Sequence, residues 1–179
     1  MKYIIASDIH GSFYYAEKLI EKFNESGADK LILLGDILYH GPRNDLPKDY
    51  SPKKVIPLLN NLSDKICCVR GNCEAEVDQM VLSFPCMSDY SLLHINGTDM
   101  FITHGHIYSP EKMSGFKKGI FASGHTHIPV LKKNGNIIIL NPGSVSIPKG
   151  GFDNSYAILG DKKIEIFDFD GNIIKSIIL

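Results

Sequence analysis

The sequence predicts an α/β fold in which two sheets pack together with helices outside them. The first half alternates short apolar runs with helical patterns, βαβα. The second half is instead punctuated by Asn96-Gly97, Asn134-Gly135, Gly160-Asp161 and Asp170-Gly171. Such pairs between apolar runs mark antiparallel hairpins. A doubly wound domain would keep alternating, so the switch implies a second sheet. At 179 residues the chain is expected to be one domain spanning 1–179.

The elements follow in order. Tyr3–Ala6 is a short apolar run, read as the first strand. Ser12 is positioned to cap a helix running to Ser26. Phe13, Ala16, Leu19, Ile20 and Phe23 fall on one face of it, and Gly27 supplies the stop. Lys30–Leu34 is the second strand. Ser51-Pro52 reads as an N-cap followed by proline at the first helical position, with Pro57 expected to kink the helix that follows. Lys65–Val69 is a third buried strand.

Composition narrows the class. Hydrophobic residues make up 44% and charged residues 22%, and 19 basic side chains nearly balance 20 acidic ones. That near-neutrality argues against long nucleic-acid partners. No stretch reaches the ~20 apolar residues of a membrane span, and the N-terminal apolar run is too short for a signal peptide. Cys67, Cys68, Cys73 and Cys86 show no C-x-x-C spacing, so reduced thiols and a cytoplasmic location are expected.

Five apolar runs each end in side chains able to hold a metal. Tyr3–Ala6 leads to Asp8 and His10, Leu31–Leu34 to Gly-Asp36, and Ile66–Val69 to Arg-Gly-Asn72. Met100–Thr103 leads to His104-Gly-His106, and Ile120–Ser123 to Gly-His125-Thr-His127. Ligands in layered α/β folds gather at the carboxyl ends of strands. Taken singly the motifs are weak: Gly-Asn is more often a turn, and Asp-x-His a polar loop cap. Together they are not, because five of the seven histidines fall in three strand-end motifs interleaved with Asp36 and Asn72. Two carboxylates, four imidazoles and an amide carbonyl, without thiolate, suit Mn, Fe, Zn or Co better than Ca or Cu(I). A shared carboxylate can hold two such ions ~3.5–4 Å apart, a pair that clamps phosphate and activates water.

In order, residue type and spacing, the pattern D-x-H, G-D, G-N, H-G-H, G-H-x-H over residues 8 to 127 resembles the calcineurin-like metallophosphoesterases. Within them the chain resembles the small bacterial YfcE-type phosphodiesterases, including GDILYHGPRN, VRGNCEAEVDQM and NPGSVSIPKGG. The resemblance implies a four-layer αββα sandwich of two mixed β-sheets flanked by helices. It implies one metal on Asp8, His10, Asp36 and His127 and a second on Asp36, Asn72, His104 and His125, with Asp36 the bridge. Manganese is the foremost expectation, with Zn, Fe or Co as alternatives. The implied activity is hydrolysis of a small phosphodiester by metal-bound hydroxide, and a homo-oligomer is compatible with it.

One position departs from the family pattern. Where many members carry a histidine after the asparagine, implicated in protonating the leaving group, this chain has Cys73 followed by Glu74. A thiol is a weak donor beside an imidazolium. His106 is the nearest spare imidazole and could substitute; equally it could pack beside the site. Arg43 and Asn44 could bind substrate phosphate, or form a solvated loop. Asn141-Pro-Gly-Ser144 could line the pocket rim or simply turn the chain. His40 and His94 read as structural, and Cys67, Cys68 and Cys86 as small core side chains. Two other functions compete: a phosphomonoesterase of small metabolites, and a non-catalytic Vps29-like scaffold with a degraded metal site. The intact ligand set argues against the scaffold.

Overall fold

In the computed structural model, which describes residues 1–113 and 115–179, the chain runs β1 (Tyr3–Ala6), α1 (Phe13–Ser26), β2 (Lys30–Leu33), α2 (Pro52–Asn60), β3 (Ile66–Cys68), α3 (Glu76–Val81), β4 (Tyr90–Ile95) and β5 (Thr98–Thr103). It continues through β6 (Gly119–Ala122), β7 (Val130–Asn134), β8 (Ile137–Asn141), β9 (Ser155–Leu159), β10 (Lys163–Asp168) and β11 (Ile173–Ile178). One sheet has the order β11-β10-β9-β1-β2-β3, the other β4-β5-β6-β8-β7. Both are mixed. In the first, β1, β2 and β3 are parallel and β9–β11 antiparallel. In the second, β5, β6 and β8 are parallel between antiparallel edges β4 and β7.

Side-chain alternation along the strands builds two cores. Ile4, Ala6, Leu31 and Leu33 pack with Ala16, Leu19 and Phe23 of α1 and Val55 and Leu59 of α2. Their neighbours Tyr3, Ile5, Ile32 and Leu34 point the other way, onto Met100, Ile102, Ile120, Ala122 and Leu140 of the second sheet. The outer face of the second sheet is covered more thinly. Here Phe101 stacks on Phe121 at 5.3 Å and on Tyr90 at 5.2 Å, and Phe116 closes over it at 5.9 Å. Among the described residues this layer is loop rather than helix.

Local chemistry sets the boundaries. The Ser12 hydroxyl accepts from the Tyr15 amide at 3.4 Å, and Gly27 ends α1 in the left-handed region at φ 63°. Pro57 lies inside α2, yet the helix continues to Asn60. The loss of one backbone bond is offset there by burial of Val55 and Leu59. Asn96 and Gly97 both take positive φ, 50° and 81°, between the paired Ile95 and Thr98. The second hairpin turns one residue later than expected: Asn134 pairs with Ile137, leaving Gly135 and Asn136 as the loop. Among the described residues, no helix is long and apolar enough to cross a membrane.

Candidate metal centre

Five parallel strands, β1, β2 and β3 of one sheet and β5 and β6 of the other, end at the same edge. The loops leaving them are tied together: Asp8 N–H donates to Gly35 O (3.1 Å), His10 N–H to Asp36 O (2.9 Å) and Gly124 N–H to His104 O (2.8 Å). The backbone there is unusual. Asp8, His10, Asp36, His125 and His127 all adopt positive φ, between 49° and 66°. Non-glycine residues in that region each cost of order 1–3 kcal/mol and persist where surrounding structure forces them. The glycines serve closeness. A Cβ on Gly71 would strike Asp36 Oδ1, and one on Gly124 would strike the Ser7 hydroxyl.

Each side chain is held by its far end. His10 Nδ1 meets Tyr39 O at 2.8 Å, His104 Nδ1 meets Leu34 O at 2.7 Å and His127 Nδ1 meets Ile147 O at 2.5 Å. Donating there leaves each Nε2 lone pair pointing inward. Asp8 Oδ2 accepts from His125 N–H (3.1 Å), and Asp36 Oδ1 from Cys73 N–H (2.9 Å). The other oxygen of each carboxylate therefore faces the centre. Ser144 and Ser146 donate to Asp8 O at 2.8 and 3.2 Å, which gives the Asn141–Ser144 turn its place behind the site.

What faces inward is almost entirely acceptors. His127 Nε2 lies 3.2 Å from Asp8 Oδ1 and 3.4 Å from His10 Nε2, which is 3.7 Å from Asp36 Oδ2. On the far side of Asp36, His104 Nε2 lies 3.4 Å from the same Oδ2, 3.1 Å from Asn72 Oδ1 and 3.3 Å from His125 Nδ1. Donors bound to one ion at ~2.0–2.2 Å stand roughly 3.0–3.6 Å apart. All but the 3.7 Å separation of His10 and Asp36 fall in that range, and both groups include Asp36. Asp8 Oδ1 is buried without a hydrogen-bond partner, a costly state that a cation relieves. The donor set fits divalent metal ions.

Titration follows the same geometry. Burial works against the Asp8 carboxylate, but His10, His127 and His104 outweigh it and hold its pKa well below the usual range. Burial pulls His104 down, yet Asp36 and Asp8 raise it to about 9. Burial also lowers His125 and His106, with the charge of His104 adding to the effect. Burial and the Asp36 carboxylate push the Cys73 thiol far up, so it stays protonated.

A cleft of about 350 Å³ opens over the centre, lined by Asp36, Asn72, Cys73, His125 and His127, with Arg43, Asn44 and Lys149 around them. Arg43 is exposed, whereas the Asn44 amide is engaged with His40 O at 2.8 Å. His106 does not line the cleft; it packs edge-on against His104 at 5.3 Å, and its Nδ1 is buried without a partner. His40 sits between Tyr39 and Tyr50, and His94 pairs with Asp99 at 2.8 Å on the surface. Sequence reasoning missed two residues. Lys149 reaches the cleft from a loop whose Lys149 N–H donates to His127 O (3.1 Å); the only signal was a cation in the Pro-Lys-Gly-Gly run. Buried Glu74 accepts from Asp36 N–H (2.9 Å), Ile37 N–H (2.6 Å) and Gly71 N–H (2.5 Å). A carboxylate two residues after Asn72 was its signal.

Residues 1–163 match the calcineurin-like phosphoesterase superfamily domain. The chain is 44% identical to phosphodiesterase YfcE of Escherichia coli K12 over 179 residues, covering 99% of this chain and 97% of that one. The solved structure of YfcE, a phosphoesterase from E. coli, superposes with a TM-score of 0.96 over 99% of this chain and 98% of that one. A phosphodiesterase of Methanocaldococcus jannaschii is 28% identical over 80% of this chain and 83% of its own. Zinc-complexed Vps29 from Entamoeba histolytica, 18% identical, has a TM-score of 0.64 over 100% of this chain and 98% of that one, a likeness of fold alone.

Proposed function

The chain belongs to the calcineurin-like phosphoesterase superfamily, and from that premise we propose that it is a single-domain, cytoplasmic phosphodiesterase with a dinuclear metal centre. One ion is assigned to Asp8, His10, Asp36 and His127, the other to Asp36, Asn72, His104 and His125. Manganese is the first choice, with Zn, Fe or Co compatible with the same donors. The observation that carries the reading is the double set of inward-facing acceptors around Asp36, with Asp8 Oδ1 left unpartnered. When bound, such a pair offsets phosphate charge and lowers the pKa of the water that attacks phosphorus.

The chain's own residues do the rest. Arg43 and Lys149 bring positive charge to the cleft over the centre and favour an anionic diester. Glu74 fixes the Asp36 and Gly71 amides, and through them the carboxylate and the Asn72 loop. Cys73 is a poor proton donor, and His106, whose pKa burial lowers, stands behind His104 rather than on the cleft. The departing oxygen thus leaves with little help, and small diesters with acidic leaving groups are the favoured substrates.

Hydrolysis of bis(p-nitrophenyl) phosphate by the purified, manganese-loaded protein tests this reading, with a chelator abolishing the activity and added Mn²⁺ restoring it. Rates across aryl diesters should rise steeply with leaving-group acidity, and Cys73→His should flatten that slope. Activity indifferent to chelation would refute the metal assignment. A wild-type slope already flat, made steep by His106→Ala, would make His106 the acid instead.

A further inference from the structure

A second cavity, of about 390 Å³, shares a wall with the metal cleft: Cys73 lines both. Its Sγ lies within 4.8 Å of ligand atoms of His10 and Asp36. The second cavity therefore begins one side chain away from the centre. Its remaining walls are mostly apolar. Tyr39, Tyr50 and Ile56 contribute from the segments around α2, and Val77 and Val81 from α3. Tyr39, Val77 and Val81 are 43%, 59% and 38% exposed, a concentration of bare apolar surface beside a charged centre. Clustering of this kind marks binding surfaces more than chance does.

One polar group in these walls is already engaged, and the tyrosine rings are held by packing. Asp78 Oδ2 accepts from Ala75 N–H at 2.9 Å. The rings of Tyr39 and Tyr50 pack against His40 at 4.8 and 5.2 Å. Tyr39 also holds His10 through its carbonyl at 2.8 Å, which ties wall to centre. A flat apolar ring would find aromatic and aliphatic surface there. The contrast with the cationic rim of Arg43 and Lys149 is chemical. A diester carries two substituents on phosphorus, and they need not seek the same surroundings.

We propose that this second cavity is the subsite for an apolar, ring-sized leaving group of the diester, with Cys73 as the partition between it and the phosphate. The inference rests on the phosphodiesterase reading above and adds the substrate class. A thiol suits the partition because it is small and apolar, whereas an imidazole would place a larger polar group at the mouth.

Methyl aryl phosphodiesters whose leaving phenols are close in acidity but differ in apolar size provide the test: phenyl, 4-tert-butylphenyl and 2-naphthyl. With the manganese-loaded enzyme, kcat/KM should rise about tenfold from phenyl to 2-naphthyl, the scale of burying one more ring. Val77→Asp, at an exposed position, should abolish that preference, and Leu92→Asp on the opposite sheet should preserve it. Independently of turnover, 2-naphthol added to the full-length protein should shift the methyl NMR signals of Val77 and Val81. Diesters hydrolysed without size preference, or with a preference that Val77→Asp leaves intact, would overturn the subsite and spare the phosphodiesterase reading. Naphthol-induced shifts with no diester hydrolysed would overturn both.

Discussion

The strands and the loops that leave them are built to opposite rules, although only a residue or two separates them. In β1, Ile4, Ile5 and Ala6 are fully buried, extended and apolar. Two positions on, Asp8 is equally buried, but it is charged, carries an unpartnered oxygen and has a left-handed backbone at φ 59°. The backbone likewise turns left-handed between Leu34 and Asp36 and between Ala122 and His125 and His127. The difference separates what holds the molecule together from what it does. Hydrophobic burial stabilises the strands, and that stability sustains strained, polar loops that would not persist alone.

Substitutions in the loops should act first on chemistry. Asp36→Asn removes the negative charge common to both groups of donors. Loss of a partner outside the ligand shell already costs ~10–100-fold, so diester hydrolysis should fall by more than that. Thermal unfolding of the variant should stay cooperative, because the strand core is untouched. Near-normal turnover would show that Asp36 is not shared. Glu74→Gln is milder. It keeps one acceptor oxygen where three backbone amides converge, and activity should drop about 10–100-fold with the metal content retained. If metal content falls with activity, Glu74 does more than position the loop.

The strand side should answer in stability rather than chemistry. Ile5 is completely buried between the two sheets. Ile5→Ala should cost about 2–5 kcal/mol in denaturant unfolding, while kcat at a temperature where it stays folded changes little. An equal loss of kcat would mean that sheet packing and site geometry cannot be separated.

How much could be read from the sequence follows the same division. α1 was legible to the residue because its signals are local: Ser12 caps it, Gly27 ends it, and one face is apolar. The first three strands were legible to within a residue at their ends, whereas β5 begins two residues before the apolar run from Met100, and the remaining hairpin strands were marked only by their turns. The seven proposed metal ligands were visible as motifs at strand ends, although nothing local said that they converge; that comes from the parallel order of β1, β2 and β3 and of β5, β6 and β8. α3 was not read at all. It has six residues and begins at Glu76, with Asp78 accepting from the Ala75 amide just before it, too short for a periodic pattern to register. Lys149 and Glu74 were missed for a related reason: each depends on contacts with residues distant in sequence, His127 and Asp36.

Asp36 is proposed to stand between two metal ions. Anomalous diffraction at the manganese edge, on crystals of the loaded wild-type protein and of His127→Ala and His104→Ala, tests it directly. Two peaks ~3.5–4 Å apart should flank the Asp36 carboxylate. His127→Ala should weaken the one beside Asp8 and His10, and His104→Ala the one beside Asn72 and His125. A single peak in the wild type, or both peaks at full occupancy in either variant, would mean that Asp36 does not bridge two ions held by these ligands.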